Sequence, residues 1–211
     1  TGWLKDGSQY YYLDPAVDGK MLLGHFSVNG KSYYAKGSGA VACREWVDVQ
    51  DSVQDGPSKA FAGSDCSLCG TLRNGKLFTS NGDGELVEAR GFVTLGGCIF
   101  YADPTNGSLS VGWQNVNGKW YFFDETAGYA RSGWLSKDGS WFYLDPSTYV
   151  MKTGWVAVNG YWYYLNSSGY MQTGWLNLGG TWYWLDASGA MATGWRVVDG
   201  SWNYFMANGA W

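Results

Sequence analysis

Five pairs of tryptophans stand seven residues apart in the second half of the sequence: Trp113 and Trp120, Trp134 and Trp141, Trp155 and Trp162, Trp175 and Trp182, Trp195 and Trp202. Indole faces are electron-rich, so rings held at a fixed spacing attract a cation and offer apolar bodies to the groups it carries. Met151, Met171 and Met191 each lie four residues before the tryptophan of the next Gly-Trp pair. A thioether there would add a soft, polarisable wall. Covalent chemistry has no comparable support. The sequence contains neither a Gly-x-Ser-x-Gly elbow nor a His-Glu-x-x-His helix. His25 is the only histidine and reads as a structural surface residue. No catalytic residue is assigned, and no cofactor is expected.

The four cysteines, Cys43, Cys66, Cys69 and Cys98, all fall in the first half. They are disulfide candidates with three open connectivities, in a region poor enough in large apolar residues to need a staple. Zinc held by four thiolates is the alternative, but a second Cys-x-x-Cys is missing. Asn81, Asp83 and Glu85 alternate as calcium ligands do without completing a ligand loop. The expectation is that the chain holds no metal.

The elements that carry the tryptophans follow from a repeat of 20 or 21 residues. Between the two members of each pair lies a turn dipeptide: Asn117-Gly118, Asp138-Gly139, Asn159-Gly160, Gly179-Gly180 or Asp199-Gly200. Such dipeptides supply the positive φ of a two-residue hairpin turn. Each unit is therefore strand, tight turn, strand, followed by a linker such as Asn166-Ser167-Ser168-Gly169. A lone hairpin is marginal in water, so successive hairpins must stack, and the expected fold is an all-β solenoid. In the second strand, residues two apart share a face. On that basis Tyr121, Phe142, Tyr163 and Tyr183 are core candidates, and the spaced tryptophans are site candidates.

Weaker units precede these. Trp3 with Asp6-Gly7, Phe26 with Asn29-Gly30, Thr71 with Asn74-Gly75 and Phe92 with Gly96-Gly97 keep the spacing with fewer aromatics. Trp46 stands where a unit should begin, but residues 47–70 depart from the template and read as an irregular insertion or a remodelled unit. The domain boundary is accordingly placed between 1–111, degenerate repeats carrying the insertion, and 112–211, regular repeats.

Composition limits the function. Aromatics reach 18% with 32 glycines, while charged residues are only 15% and the net charge is −4. No basic stripe exists to track phosphates, which excludes a nucleic-acid binder, and mild acidity suits a cationic ligand. No run of about 18 apolar residues is present to span a membrane.

The stretch Gly154-Trp155, Asn159-Gly160-Tyr161-Trp162-Tyr163-Tyr164-Leu165 and Gly169-Tyr170-Met171-Gln172-Thr173-Gly174-Trp175 resembles the choline-binding, cell-wall-binding repeat, closely from about 112 to 205 and loosely before that. The resemblance implies a left-handed superhelix of hairpins with ligand sites between neighbours: two aromatics from one hairpin, a third from the next, and a methionine closing the cage. Carried onto this chain, it implies Trp134, Trp141, Tyr164 and Met151 as one site. It implies Trp155, Trp162, Trp184 and Met171 as a second, and Trp175, Trp182, Tyr204 and Met191 as a third. A fourth would be Trp113, Trp120 and Tyr143, with Ala130 at its methionine position. Trp195 and Trp202 would have Trp211 in that position. Trp3 and Tyr10 would need an aromatic at Ala35, and Phe92 meets Ile99, so few or no intact sites are expected before Trp113.

The implied function is non-catalytic: attachment of a secreted bacterial protein to choline groups of teichoic or lipoteichoic acid at the cell surface or cell wall. Trimethylammonium carries charge but no hydrogen-bond donor, so ring faces satisfy it where an amide or carboxylate cannot. The alternatives are a glucan-type carbohydrate-binding module, because aromatic platforms also stack sugars, and an adhesin rod whose irregular half binds a host protein. A glycan or a host protein is thus the candidate partner of the upstream half.

Overall fold

The computed structural model describes residues 1–49, 58–63, 65, 67–80 and 85–211. Strands dominate, and the one helical element among the described residues is the short 3-10 turn Pro15–Val17. Antiparallel hairpins follow one another, each named here by its leading aromatic. Upstream are the Trp3 hairpin (Gly2–Asp6 with Gln9–Asp14), the Phe26 hairpin (Gly24–Val28 with Lys31–Ala35) and the Phe92 hairpin (Gly91–Leu95 with Cys98–Ala102). Downstream are the Trp113 (Gly112–Val116, Lys119–Phe123), Trp134 (Gly133–Lys137, Ser140–Leu144) and Trp155 (Gly154–Val158, Tyr161–Leu165) hairpins. The Trp175 (Gly174–Leu178, Thr181–Leu185) and Trp195 (Gly194–Val198, Ser201–Phe205) hairpins complete the series.

Turn chemistry sets the register. Asn159 and Gly160 take φ of 51° and 83°, the left-handed pair that lets two strands close with their natural twist. That turn places Trp155 opposite Tyr164 and Ala157 opposite Trp162. The last residue of the second strand supplies the inner core. Leu144, Leu165, Leu185 and Phe205 are fully buried, each burial stabilising by about 1.5–3 kcal/mol.

The linkers are tied to their own hairpins. Leu165 bridges to Met171, and Leu185 to Met191. In the linker between the Trp175 and Trp195 hairpins, Asp186 Oδ1 accepts from the backbone N–H groups of Ser188 and Ala190. A tighter aspartate turn forms at Asp145, where N–H groups of Thr148 and Ser147 hold the carboxyl below the usual range.

The described residues between 45 and 88 depart from the stacked pattern. Trp46 does begin a strand, Glu45–Val49, and pairs with Phe61 of Ser58–Ala62. The next hairpin, Leu68–Arg73 with Lys76–Ser80, joins that pair edge to edge, and Leu86–Glu88 completes a five-stranded sheet. The expected irregular insertion is thus in part a continuous meander, with a register shift between Ala60 and Phe61. Its core is Phe61, Leu77 and Phe100, all fully buried. Trp46 packs on Phe61 at 5.1 Å and donates its indole N–H to the Ala127 carbonyl at 2.8 Å. The indole is consumed by packing, unlike those of the regular repeats.

Of the four cysteines, Cys43 is disulfide-bonded, whereas Cys69 and Cys98 are free thiols. Cys66 lies outside the described residues, as do Asn81 and Asp83. The expectation that Cys69 and Cys98 serve as disulfide partners is corrected here. Both sit in or against the Phe61 core, where burial pushes the Cys69 thiol up to about 11 and raises Cys98 as well. A four-thiolate zinc site is also ruled out, since the bonded Cys43 sulfur is no thiolate.

By contacts the chain divides into two units: Thr1–Gln114 with Phe123–Ala130, and Asn115–Phe122 with Arg131–Trp211. No described helix is long and apolar enough to cross a membrane.

Candidate ligand-binding site

Two equivalent clefts open in the second unit. One, of about 340 Å³, is lined by Trp134, Trp141, Tyr163, Met171, Ala187 and Ser188. The other, of about 330 Å³, is lined by Trp155, Trp162, Tyr183, Met191, Ala207 and Asn208. Each draws two indoles from one hairpin, a phenol from the next hairpin and a thioether from the linker after that.

The geometry repeats. Trp134 meets Tyr163 at 4.8 Å and 71°, and Trp155 meets Tyr183 at 5.0 Å and 63°. Trp141 stands edge-on to Trp134 at 6.4 Å and is 46% exposed. Trp162 is 48% exposed. Large rings left this open are unusual for side chains that only fill a core. Backbone bonds fix the thioethers: Met171 N–H donates to the Trp141 carbonyl, and Met191 N–H to the Trp162 carbonyl, both at 2.8 Å. A glycine of the following linker covers each thioether. A Cβ on Gly189, whose φ is +85°, would lie 2.5 Å from Met171 Sδ.

This arrangement regroups the residues picked out in the sequence. The tryptophan pairs stay together, but the third ring and the methionine move. Tyr164 does not complete the Trp134 cleft; it faces Trp155 within its own hairpin at 5.2 Å. Trp184 likewise lies beside Trp175 at 5.2 Å, Tyr204 beside Trp195 at 5.2 Å and Tyr143 beside Trp134 at 5.0 Å. The cause is strand alternation. A hairpin presents its paired tryptophans on one face, so its neighbour must offer the opposite face, where Tyr163 and Tyr183 point. Those two tyrosines wall the clefts instead of filling the core, while the equivalent Phe142 is buried.

Each methionine belongs one hairpin earlier than expected, because its linker folds back onto the preceding unit. Met151 N–H donates to the Trp120 carbonyl, so Met151 goes with Trp120 and not with Trp134. Ala130 N–H donates to the Ile99 carbonyl instead. Trp113 is half-buried and Trp120 is 44% exposed.

At the Trp175 and Trp182 pair the structure differs again. Trp211 N–H donates to the Trp182 carbonyl at 2.9 Å, so Trp211 holds the methionine place of this pair and not of Trp195. Its ring lies 5.4 Å from Trp175, and its indole N–H donates to Asn203 Oδ1 at 2.8 Å. Asn203 stands where Tyr183 stands one unit earlier. The Trp175 indole N–H reaches Asp199 Oδ2 at 3.3 Å. The sequence signal for these placements was present in the alternation Trp-Tyr-Tyr, once the face offered by the neighbour is inverted.

Elsewhere, His25 lies against the Tyr34 ring at 4.8 Å. Among the described residues no group of three or more His, Cys, Asp or Glu side chains is placed to hold a metal.

Stacked hairpins with ring-walled clefts between neighbours define a class of repeat proteins. Residues 110–151 and 152–193 match the choline-binding repeat model, and residues 1–16 match the putative cell wall binding repeat model. Residues 110–193 belong to the choline-binding repeat family. Among solved structures it is similar to CbpJ from Streptococcus pneumoniae TIGR4, with 28% identity and a TM-score of 0.61, covering 100% of this chain and 87% of the other. It is also similar to choline binding protein F from Streptococcus pneumoniae in the presence of a peptidoglycan analogue, with 27% identity and a TM-score of 0.60, covering 99% and 85%. Comparison with curated protein sequences finds no match.

Proposed function

We infer that the chain is a non-catalytic module that holds choline groups of teichoic or lipoteichoic acid and so attaches a secreted protein to a bacterial cell wall. The observation that carries this reading is the pair of clefts walled by Trp134, Trp141, Tyr163 and Met171, and by Trp155, Trp162, Tyr183 and Met191. Three ring faces and a thioether suit a charged group that has methyls and no donor. Beyond the ring N–H and O–H groups, the polar side chains among the described residues that line the clefts are Ser188 in one and Asn208 in the other. A sugar site needs more polar partners beside its stacking ring, so the carbohydrate reading is the weaker one.

Each cleft alone binds modestly, because about 1–2 kcal/mol per desolvated ring must first offset the cost of association. Two clefts on one unit convert the second capture on a polymer into a local event. Titration with free choline, followed by calorimetry and tryptophan emission, tests the reading. Saturable quenching in the millimolar range is expected. Silence at tens of millimolar choline overturns it.

A further inference from the structure

The two clefts share the chemistry of their walls but differ at the lip. Ala187 and Ser188 border the Trp134 cleft, and Ala207 and Asn208 border the Trp155 cleft. Both pairs lie in the linker two hairpins on, just beyond the last strand residue, Leu185 or Phe205. The residue that opens the linker is Asp186 in the first case and Met206 in the second. Asp186 Oδ1 accepts from the Ser188 N–H at 2.8 Å, the Ser188 hydroxyl at 2.6 Å and the Ala190 N–H at 3.1 Å. In the other linker the Ala210 N–H goes to Asn208 Oδ1 at 3.1 Å.

The two lips therefore carry opposite polarity. A serine hydroxyl has one proton. Ser188 commits it to the carboxylate, so its oxygen can offer the cleft only lone pairs, with a full negative charge behind them. Asn208 commits its oxygen to the backbone, and the other end of the amide is an NH2 donor. A trimethylammonium carries positive charge on its methyls and favours the first lip over the second. The same carboxylate supports the wall beneath. Asp186 also accepts the Gly189 N–H through its carbonyl at 2.8 Å, and Gly189 is the residue that lies over Met171 of the Trp134 cleft.

We propose that Asp186 sets the affinity of the Trp134 cleft by acting through Ser188, and that it makes this cleft the tighter of the two for choline. Asp186 is a positioning residue and not a wall of the cage. The inference rests on the choline reading given above and assigns the two clefts unequal parts in it.

The test is a choline titration of the whole chain, following indole N–H resonances by NMR, with the Trp134 and Trp155 signals assigned by single Trp→Phe replacements. At low salt the Trp134 midpoint is expected below that of Trp155 by about two- to four-fold, the size of a screened charge contact at a protein surface. Asp186→Asn keeps the acceptor and removes the charge. Asn166 shows that the turn accepts an amide, since its Oδ1 holds the N–H groups of Ser168 and Tyr170 one repeat upstream. In this variant the Trp134 midpoint should rise toward that of Trp155, while the Trp155 midpoint and the melting temperature stay fixed. The difference between variant and parent should shrink in about 1 M salt, which a purely structural role would not produce. The reverse graft, Met206→Asp with Asn208→Ser, should lower the Trp155 midpoint by a similar factor. If the two midpoints coincide in the parent, or if Asp186→Asn moves neither, the inference is overturned and the proposed function stands. An effect of Asp186→Asn that ignores salt overturns it as well. If no indole responds to choline, the choline reading falls and takes this inference with it.

Discussion

The rings of the two clefts divide into exposed and supporting members. Trp162 is 48% exposed and carries little of the core, whereas Tyr183 is half-buried and holds its edge against Trp155. Replacing Trp162 by alanine should therefore leave the folding transition nearly unchanged and weaken choline binding at that cleft by about 5–30-fold, the range of one cation–π wall. Calorimetry on the variant checks this, with the Trp134 cleft as the internal reference. Tyr164→Ala separates the observed grouping from the one the repeat pattern implies. Tyr164 faces Trp155 within its own hairpin and does not line the Trp134 cleft, so its loss should leave choline binding at Trp134 unchanged, read by NMR titration of the Trp134 indole N–H.

At the scale of the hairpin and its linker, stability lies in turns and in close approaches. Gly189 takes a φ of +85° over Met171, a conformation that side chains rarely adopt. Gly189→Ala should lower the melting temperature through a cost of about 1–2 kcal/mol and disturb the thioether wall of the Trp134 cleft, visible as weaker choline binding there. Upstream, the turn of the Phe26 hairpin is pinned by Lys31, whose ammonium lies 2.8 Å from Asp65 Oδ2. Hydrogen bonds from Lys31 and Ser67 pull the Asp65 carboxyl down to about 2, below its unfolded value of about 3.9. A lowered folded value means that the pair stabilises above about pH 4 and is lost as pH falls toward 2. Calorimetric scans should show Asp65→Asn melting below the parent protein at pH 5, with the gap closing by pH 2.

For the molecule as a whole, the proposed attachment depends on the two weak clefts acting together. The Trp134 and Trp155 clefts lie in one contact-defined unit, so both can engage one polymer. Retention on a quaternary-amine matrix should survive Trp162→Ala with earlier elution by choline. Combined Trp141→Ala and Trp162→Ala should cost far more than the product of the single free-choline effects would suggest, because avidity gains of about 10²–10⁴ vanish with the second contact. The upstream sheet works differently. There Trp46 and Phe61 make a conventional core with Leu77 and Phe100, with the free thiol of Cys98 buried in it and that of Cys69 half-buried against it.

The period of 20 or 21 residues, the Asn-Gly and Asp-Gly turns and the paired tryptophans were enough to define hairpins, their register and the cation-holding chemistry, because all of these are local. Turn dihedrals and strand alternation are fixed within a dozen residues. Which ring of the next hairpin closes a cleft is not local. It depends on the face each hairpin turns toward its neighbour, and that choice brought in Tyr163 and Tyr183 where Tyr164 and Trp184 had equal claim by spacing. The folding back of each linker onto the preceding unit moved Met171 and Met191 by one hairpin and gave Trp211 to Trp175. The five-stranded sheet was likewise decided by packing: Trp46 and Phe61 bury against Phe100 of the Phe92 hairpin, whose turn at Gly96 comes so close to Gly63 that neither has room for a Cβ.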